Sequence, residues 1–278
     1  VPPSGTTAER PSDCEPGTLR FNTDIGTLEV FRGNTIGWES IKRRDSQYLG
    51  GGSGSNDGTG TRGITAGGNT PSTKNEIEFV TISTFGNTQD FGDLLSANTA
   101  IAGLASNTRG IFQGGGNPNT NVIQFITISS LGNATDFGDA LKSCGYSAAL
   151  SNQVRGVVGG GGPTNAIDYI TIAQTGNALD FGDLTMTTHV PSGCSNATRG
   201  LCNLRPSSAP YYLNTVEFVT IATLGNSIDF GDSTNNAGGT GPMSSSTRGL
   251  FAGGYGSGAG FQDEIASFEI ATTGNALD

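Results

Sequence analysis

Histidine is almost absent from this chain, and so are the cysteine spacings that hold zinc. There is one histidine, His189, and the four cysteines (Cys14, Cys144, Cys194, Cys202) form no CxxC pair. A zinc site therefore has no ligand set, and no metal or cofactor is expected. Charge is also scarce: Asp, Glu, Lys and Arg make up 14% of residues, with a net charge of −10. That balance argues against a surface that tracks nucleic-acid phosphates, which needs clustered Lys and Arg. It argues equally against adsorption to anionic membranes. No apolar run approaches the roughly 18–20 residues of a membrane span, so no membrane insertion is expected. The longest basic run, Lys42-Arg43-Arg44, reads as a solvated linker. The chain does not open on Met and has no signal-peptide pattern, as in a processed or trimmed start.

Glycine is abundant, at 45 of 278 residues, more than double the average usage of roughly 7%. No G-X-Y period accompanies it, which excludes collagen. Low charge excludes a charge-rich disordered polymer. The composition is that of a turn-dense, strand-rich chain with a thin, repeated core.

The repeat is explicit. Thr-Arg-Gly occurs at 61–63, 108–110, 198–200 and 247–249, with Val154-Arg155-Gly156 as a fifth copy, and the arginines are 47, 46, 44 and 49 residues apart. Thr-Ile recurs at 81–82, 127–128, 171–172 and 220–221, and Asp-Phe-Gly-Asp at 90–93, 136–139, 180–183 and 229–232. Each unit reads as a lead strand, a tight turn at Arg-Gly, a second strand running into glycines, and a polar loop. An alternating third strand such as Val122–Ile128 follows, then a Gly-Asn turn and the short Asp-Phe-Gly-Asp strand. Period-2 alternation with β-branched and aromatic residues predicts a half-buried strand. Four short strands per roughly 45 residues is the size of a propeller blade, and stacked blades cover faces that one blade leaves bare. The expected fold is all-β: a five-bladed β-propeller over residues 45–278, preceded by a β-hairpin module over 1–44. The first unit's lead strand, 48–55, is mostly Gly and Ser, and the fifth unit lacks its Phe-Gly-Asp strand. Closure by complementing ends and excision from a longer array both remain open.

In the N-terminal module, residues 17–23 and 27–32 predict the hairpin, with a turn at 24–26. Leu19, Phe21, Leu28, Val30 and Trp38 are too few for an independent core. The hairpin is expected to pack on the propeller or on other subunits, with the lead carrying Pro2, Pro3, Pro11 and Pro16 docking along a partner.

Two stretches carry a resemblance. The segment Ser4-Gly-Thr-Thr-Ala-Glu-Arg-Pro11, with 17–24, Leu28-Glu-Val-Phe31 and Gly37-Trp38, resembles a short module of tail-fibre and other structural proteins of marine phages, cyanophages especially. The pattern Tyr169-Ile-Thr-Ile172 and Gly176–Leu184, with Thr-Arg-Gly and a double glycine, is similar to the kelch-like repeats of the same proteins. Together they span almost the whole chain. The chain departs from the pattern at Cys202-Asn-Leu-Arg205, where the double glycine is lost. The resemblance implies a non-enzymatic virion protein on the particle surface, in a tail or capsid appendage. Its partners would be other virion proteins and a host-surface glycan or protein, and it would form a homo-oligomer, a trimer being one option. A capsid decoration protein and a free carbohydrate-binding lectin are the alternatives. A surface-degrading enzyme would need a unique acid cluster, and none stands out.

Asp-Phe-Gly is also the magnesium motif of protein kinases, but here it recurs at blade spacing without the accompanying kinase segments. No Gly-Lys-Ser/Thr follows the glycine pairs, which disfavours a phosphate loop. Catalytic carboxylate pairs occur once per site, whereas these acids occur in every unit. The repeated residues Arg62, Arg109, Arg155, Arg199 and Arg248, with Asp93, Asp139, Asp183 and Asp232, are instead read as structural. Each Arg is expected to pair with a repeated Asp or a turn carbonyl. Calcium on the acids is a weaker reading. Asn133 and Asn196 fit the glycosylation sequon but fall in repeat turns. Function on repeat scaffolds concentrates in irregular loops. Three stand out, 203–213, 233–246 and 255–261, with Tyr211, Tyr212, Tyr255 and Phe261 as candidate binding residues. Cys194 and Cys202 flank the turn 195–200, where either a disulfide or, preferred, two buried free thiols would fit.

Overall fold

Alternating apolar residues and glycine-rich turns translate into strands throughout. The computed structural model describes residues 2–24, 26–40, 50–52, 62–256 and 260–278; Lys42-Arg43-Arg44 and most of the expected lead strand 48–55 lie outside the described residues. The chain is all-β, with several small open sheets and, among the described residues, one 3₁₀ turn at Thr7–Glu9. It divides into two compact units, Val1–Asp45 and Ser46–Asp278.

In the first unit, β1 (Ser4–Gly5), β2 (Leu19–Asn22), β3 (Thr27–Phe31) and β4 (Trp38–Ser40) form one sheet in chain order, β1 lying parallel to β2. Its covered face carries Phe31 and is otherwise polar. Arg20, Asn22 and Glu29 are buried, while Leu19, Phe21 and Leu28 are 44%, 38% and 37% exposed. The proline-bearing lead folds back over that polar face. Trp38 Nε1 donates to the Pro11 carbonyl at 3.0 Å, Arg20 Nη2 to the Thr6 carbonyl at 2.9 Å and Asn22 Nδ2 to Thr7 Oγ1 at 3.0 Å. Arg10 bonds Glu29, and Arg20 lies 3.7 Å from it. The Arg10 guanidinium holds the Glu29 carboxyl below its ordinary range, against the opposing effect of desolvation. The lead thus docks on its own hairpin, where the sequence suggested an outside partner. Strand alternation carries Arg20 and Glu29 onto one face, and buried charges left unpaired are costly.

In the second unit β5 (Gly50–Gly52) precedes five repeats. Repeat 1 holds β6 (Arg62–Ala66), β7 (Glu76–Thr81) and β8 (Gln89–Asp93). Repeat 2 holds β9 (Ala102–Ala105), β10 (Arg109–Gln113), β11 (Val122–Thr127) and β12 (Thr135–Asp139). Repeat 3 holds β13 (Ala148–Asn152), β14 (Arg155–Gly159), β15 (Thr164–Thr171) and β16 (Leu179–Thr188). Repeat 4 holds β17 (Ser192–Ser195), β18 (Arg199–Asn203), β19 (Thr215–Thr220) and β20 (Ile228–Asp232). In repeat 5, β21 (Ala237–Gly238) precedes β22 (Gly241–Ser244) and β23 (Arg248–Ala252); β24 (Tyr255–Gly256), β25 (Gly260–Phe261) and β26 (Ile265–Glu269) follow. Strands within a repeat pair antiparallel in meander order, and β21, β24 and β25 form a separate small sheet. The glycine strand β5 pairs with β13, two repeats away from its own. At the C-terminal end, a Ser267–Leu277 bridge puts 275–278 where the fourth strand begins in the other repeats.

The core is four layers, each between consecutive repeats. Ile77, Phe79 and Phe91 meet Phe112 and Ile126; Leu104, Ile111 and Phe137 meet Val158 and Ile170. Leu150, Val157 and Phe181 meet Cys202 and Val219; Cys194, Leu201 and Phe230 meet Phe251 and Phe268. Interior third strands are therefore covered on both faces rather than half-buried. Their polar residues Gln124, Asp168 and Glu217 are buried, and each accepts a backbone N–H from the preceding repeat: Leu95, Leu141 and Thr185.

One joint links each repeat to the next. In the Asp-Phe-Gly-Asp strand the Phe carbonyl accepts from the next Gly-Asn turn: Gly132 N to Phe91 O, Gly176 to Phe137, Gly225 to Phe181 and Gly274 to Phe230, all at 2.8–2.9 Å. The second Asp donates its backbone N–H to the Asn side chain of that turn, for Asn133, Asn177, Asn226 and Asn275. Its carbonyl takes the N–H two residues beyond the glycine. Glycine is required in the strand because the backbones touch: a Cβ on Gly182 would lie 2.5 Å from the Gly225 carbonyl.

Arginine completes the joint. Arg62, Arg109 and Arg155 donate from Nη1 to the carbonyls of Ile128, Ile172 and Ile221 in the next repeat, and Arg199 to Ile270 and Ala271. Each guanidinium also lies over a ring of its own third strand, Phe79, Phe125, Tyr169 or Phe218, at 4.5–4.7 Å. Among the described residues, Asp93, Asp139, Asp183 and Asp232 form no ion pair with these arginines; they engage through their backbone. In repeat 5, Ser267 stands where the ring would be, and Arg248 is exposed.

Cys194 and Cys202 are buried free thiols. Cys194 faces Leu201 and Cys202 faces Gly193 across the strand pair, an offset of one residue. Side chains alternate along a strand, so the sulfurs enter different core layers and a disulfide is excluded by register. Burial raises both thiol pKa values, Cys194 to about 12.

Candidate functional site

The arginines give the repeats a common ruler. Nine residues before Arg109, Arg155, Arg199 and Arg248 stand Ala100, Tyr146, Val190 and Gly239; eight before stand Ile101, Ser147, Pro191 and Thr240. All eight line a single cavity of about 280 Å³, with Gly103, Ala149, Gly193 and Pro242 completing the same window. Equivalent segments of four repeats thus converge on one space. Sheets stacked in a row sit roughly 10 Å apart, so four in line would span about 30 Å and could not share a cavity this small.

The lining carries no charge. Ala100 and Tyr146 are the described non-glycine residues with positive φ, 55° and 60°, and Gly239 takes φ 65° at the same repeat position. Ser147 Oγ donates to the Gly160 carbonyl and Ser192 Oγ to the Thr240 carbonyl, both at 2.9 Å. Thr240 is 6% exposed, and its Oγ1 has no partner.

A series of ring contacts begins at the cavity with Tyr146. Tyr146 stacks on His189 with ring centres 5.8 Å apart and planes 22° apart. His189 donates its backbone N–H to the Arg205 carbonyl at 2.9 Å. The Arg205 guanidinium lies 5.2 Å from the Tyr212 ring centre, Tyr212 is 5.8 Å from Tyr255, and Tyr255 is 5.6 Å from Phe261. The lost double glycine has its physical reason here. Leu204 is buried in the layer between repeats 3 and 4, and Arg205 lies against Gly238, where a Cβ would meet its Cδ at 2.3 Å.

Of the sequence-derived candidates, Tyr212, Tyr255 and Phe261 come together, while Tyr211 is exposed and makes no ring contact among the described residues. Part of the loop 255–261 lies outside the described residues. Tyr146, His189, Arg205 and Thr240 were missed as a set. Aligning the repeats on their arginines, rather than searching the loops for aromatics, exposes Tyr146 and Thr240.

No protein-family profile matches the chain, and no curated protein matches it significantly.

Proposed function

We propose that the chain is a non-enzymatic phage virion structural protein whose residues 45–278 form a five-bladed kelch-like propeller, its aromatic run turned toward the host surface. One observation carries the propeller: the same four-residue window of four successive repeats lines one small cavity, as blades around an axis require. Identical joints between consecutive repeats support it, because one repeated transformation generates a ring or a helix. The N-terminal unit is the attachment module. Its exposed Leu19, Phe21 and Leu28 supply an apolar face for another virion protein or for a second and third copy of the chain, and its sequence resembles the phage module.

The aromatic run favours a glycan as the host ligand, so a free lectin is the competing reading. Immunogold microscopy with an antibody against residues 45–278, on purified particles of a phage encoding the chain, separates them. Gold on the particle surface is the expected result. Clean particles with the chain recovered only from the surrounding lysate would refute the virion assignment.

A further inference from the structure

We propose that the central cavity binds the terminal, uncharged sugar ring of a glycan whose next residues run over Tyr146, His189, Tyr212 and Tyr255. The inference rests on the host-facing reading above and gives it a site and a ligand class.

Three features point to a ligand. First, the hydroxyl of Thr240 is buried in the lining without a hydrogen-bond partner. An unmet buried polar group costs about 1–3 kcal/mol, and a ligand hydroxyl that displaced the atoms covering it would meet it. Second, Ala100 and Tyr146 hold left-handed backbone at the cavity wall, where repeat 5 uses glycine. Such conformations are unfavourable for residues with a side chain and cluster at ligand sites. Tyr146 in particular places an aromatic face there that glycine could not. Third, the eight-before position alternates around the cavity: Ile101, Ser147, Pro191, Thr240. Two hydroxyls and two apolar surfaces, interleaved, match a ring with polar edges and C–H faces.

The chemistry excludes other ligands. With no charged residue in the lining, an ionised group would be desolvated without compensation, so uronic acids, amino sugars and phosphates fit poorly. The volume lies just under the roughly 300 Å³ at which drug-sized pockets begin, so one ring fits and a chain does not. Successive sugars would instead lie along the aromatic run, which starts at the cavity with Tyr146.

Saturation-transfer NMR on the full chain tests this, with the methyl glycosides of neutral hexoses, glucuronic acid and glucosamine as probes. Saturable millimolar binding of at least one neutral glycoside is expected, with the charged pair at least about tenfold weaker. Tyr146→Gly should relieve the backbone, leave the melting temperature equal or higher, and weaken binding about tenfold or more. Arg248→Ala, exposed and outside the lining, should leave binding intact. Thr240→Val should weaken binding without unfolding the protein. No saturable neutral ligand, equal binding of charged sugars, or unchanged affinity in both Tyr146→Gly and Thr240→Val would overturn the proposal. Failure here with gold on the particles leaves the virion reading standing; binding here without gold leaves the site standing and removes the virion.

Discussion

Gly182 and Gly225 have nearly the same φ, 147° and 146°, and offer a controlled test of the inter-repeat joint. Alanine at either site carries the dihedral penalty of a sparsely populated region, about 1–3 kcal/mol. Only at Gly182 does the added methyl strike the neighbouring repeat: its Cβ would lie 2.5 Å from the Gly225 C and O and 2.9 Å from Asn226 N, whereas at Gly225 nothing lies within 4 Å. Those atoms are backbone and cannot rotate away, so the joint must open. Opening it threatens three bonds: Gly225 N to Phe181 O at 2.9 Å, Ser227 N to Asp183 O at 2.9 Å and Asp183 N to Asn226 Oδ1 at 3.0 Å. At about 1 kcal/mol each, Gly182→Ala should be destabilised about 3 kcal/mol more than Gly225→Ala. Urea unfolding measures the difference. Amide exchange at Gly225 and Ser227 should also accelerate in Gly182→Ala alone. Equal losses in the two variants, with unchanged exchange, would refute the role given to the Asp-Phe-Gly-Asp glycine.

The arginine ladder makes a second contrast. Arg109→Ala removes a charged hydrogen bond to Ile172 and stacking on Phe125, worth about 2–4 kcal/mol together, while Arg248→Ala, at an exposed position, should cost less than about 0.5 kcal/mol by urea unfolding. At Asp168, burial raises the carboxyl pKa above 3.8. An acid with a raised folded-state value lowers stability as pH climbs from its unfolded toward its folded pKa. Asp168→Asn should therefore raise the melting temperature at neutral pH, with the gain vanishing below about pH 4. A larger gain in acid would reverse the sign and the explanation. Cys194 and Cys202 should react with a thiol reagent only at the rate of unfolding, while Cys14 and Cys144, half-buried, should react first. Four equally fast thiols would contradict the buried layers.

The strands were legible because period-2 alternation is local, and the repeat because its arginines and glycines recur. What each repeated residue touches was less so. The Asp residues act through backbone atoms, which carry no sequence signal, and the arginines reach carbonyls of the following repeat. The one-residue offset between Cys194 and Cys202 depends on a hairpin register that flanking residues alone do not fix. The lead's return onto its own hairpin was hidden by reading Leu19, Phe21 and Leu28 as the buried side. The buried side was instead set by Arg20 and Glu29 and by the partners the lead supplies. Tyr146 gave no signal by itself, since only its place nine residues before Arg155 puts it at the cavity.

The proposed radial arrangement can be measured directly with spin labels at one equivalent position in three repeats: Gln89, Leu179 and Ile228, which begin the last strands of repeats 1, 3 and 4. Cys14 and Cys144 would first be replaced by serine. In a five-membered ring repeats 3 and 4 are equally far from repeat 1, so the Gln89–Ile228 and Gln89–Leu179 distances should agree. Sheets stacked in a line roughly 10 Å apart would make the first about one and a half times the second, and that result would contradict the ring.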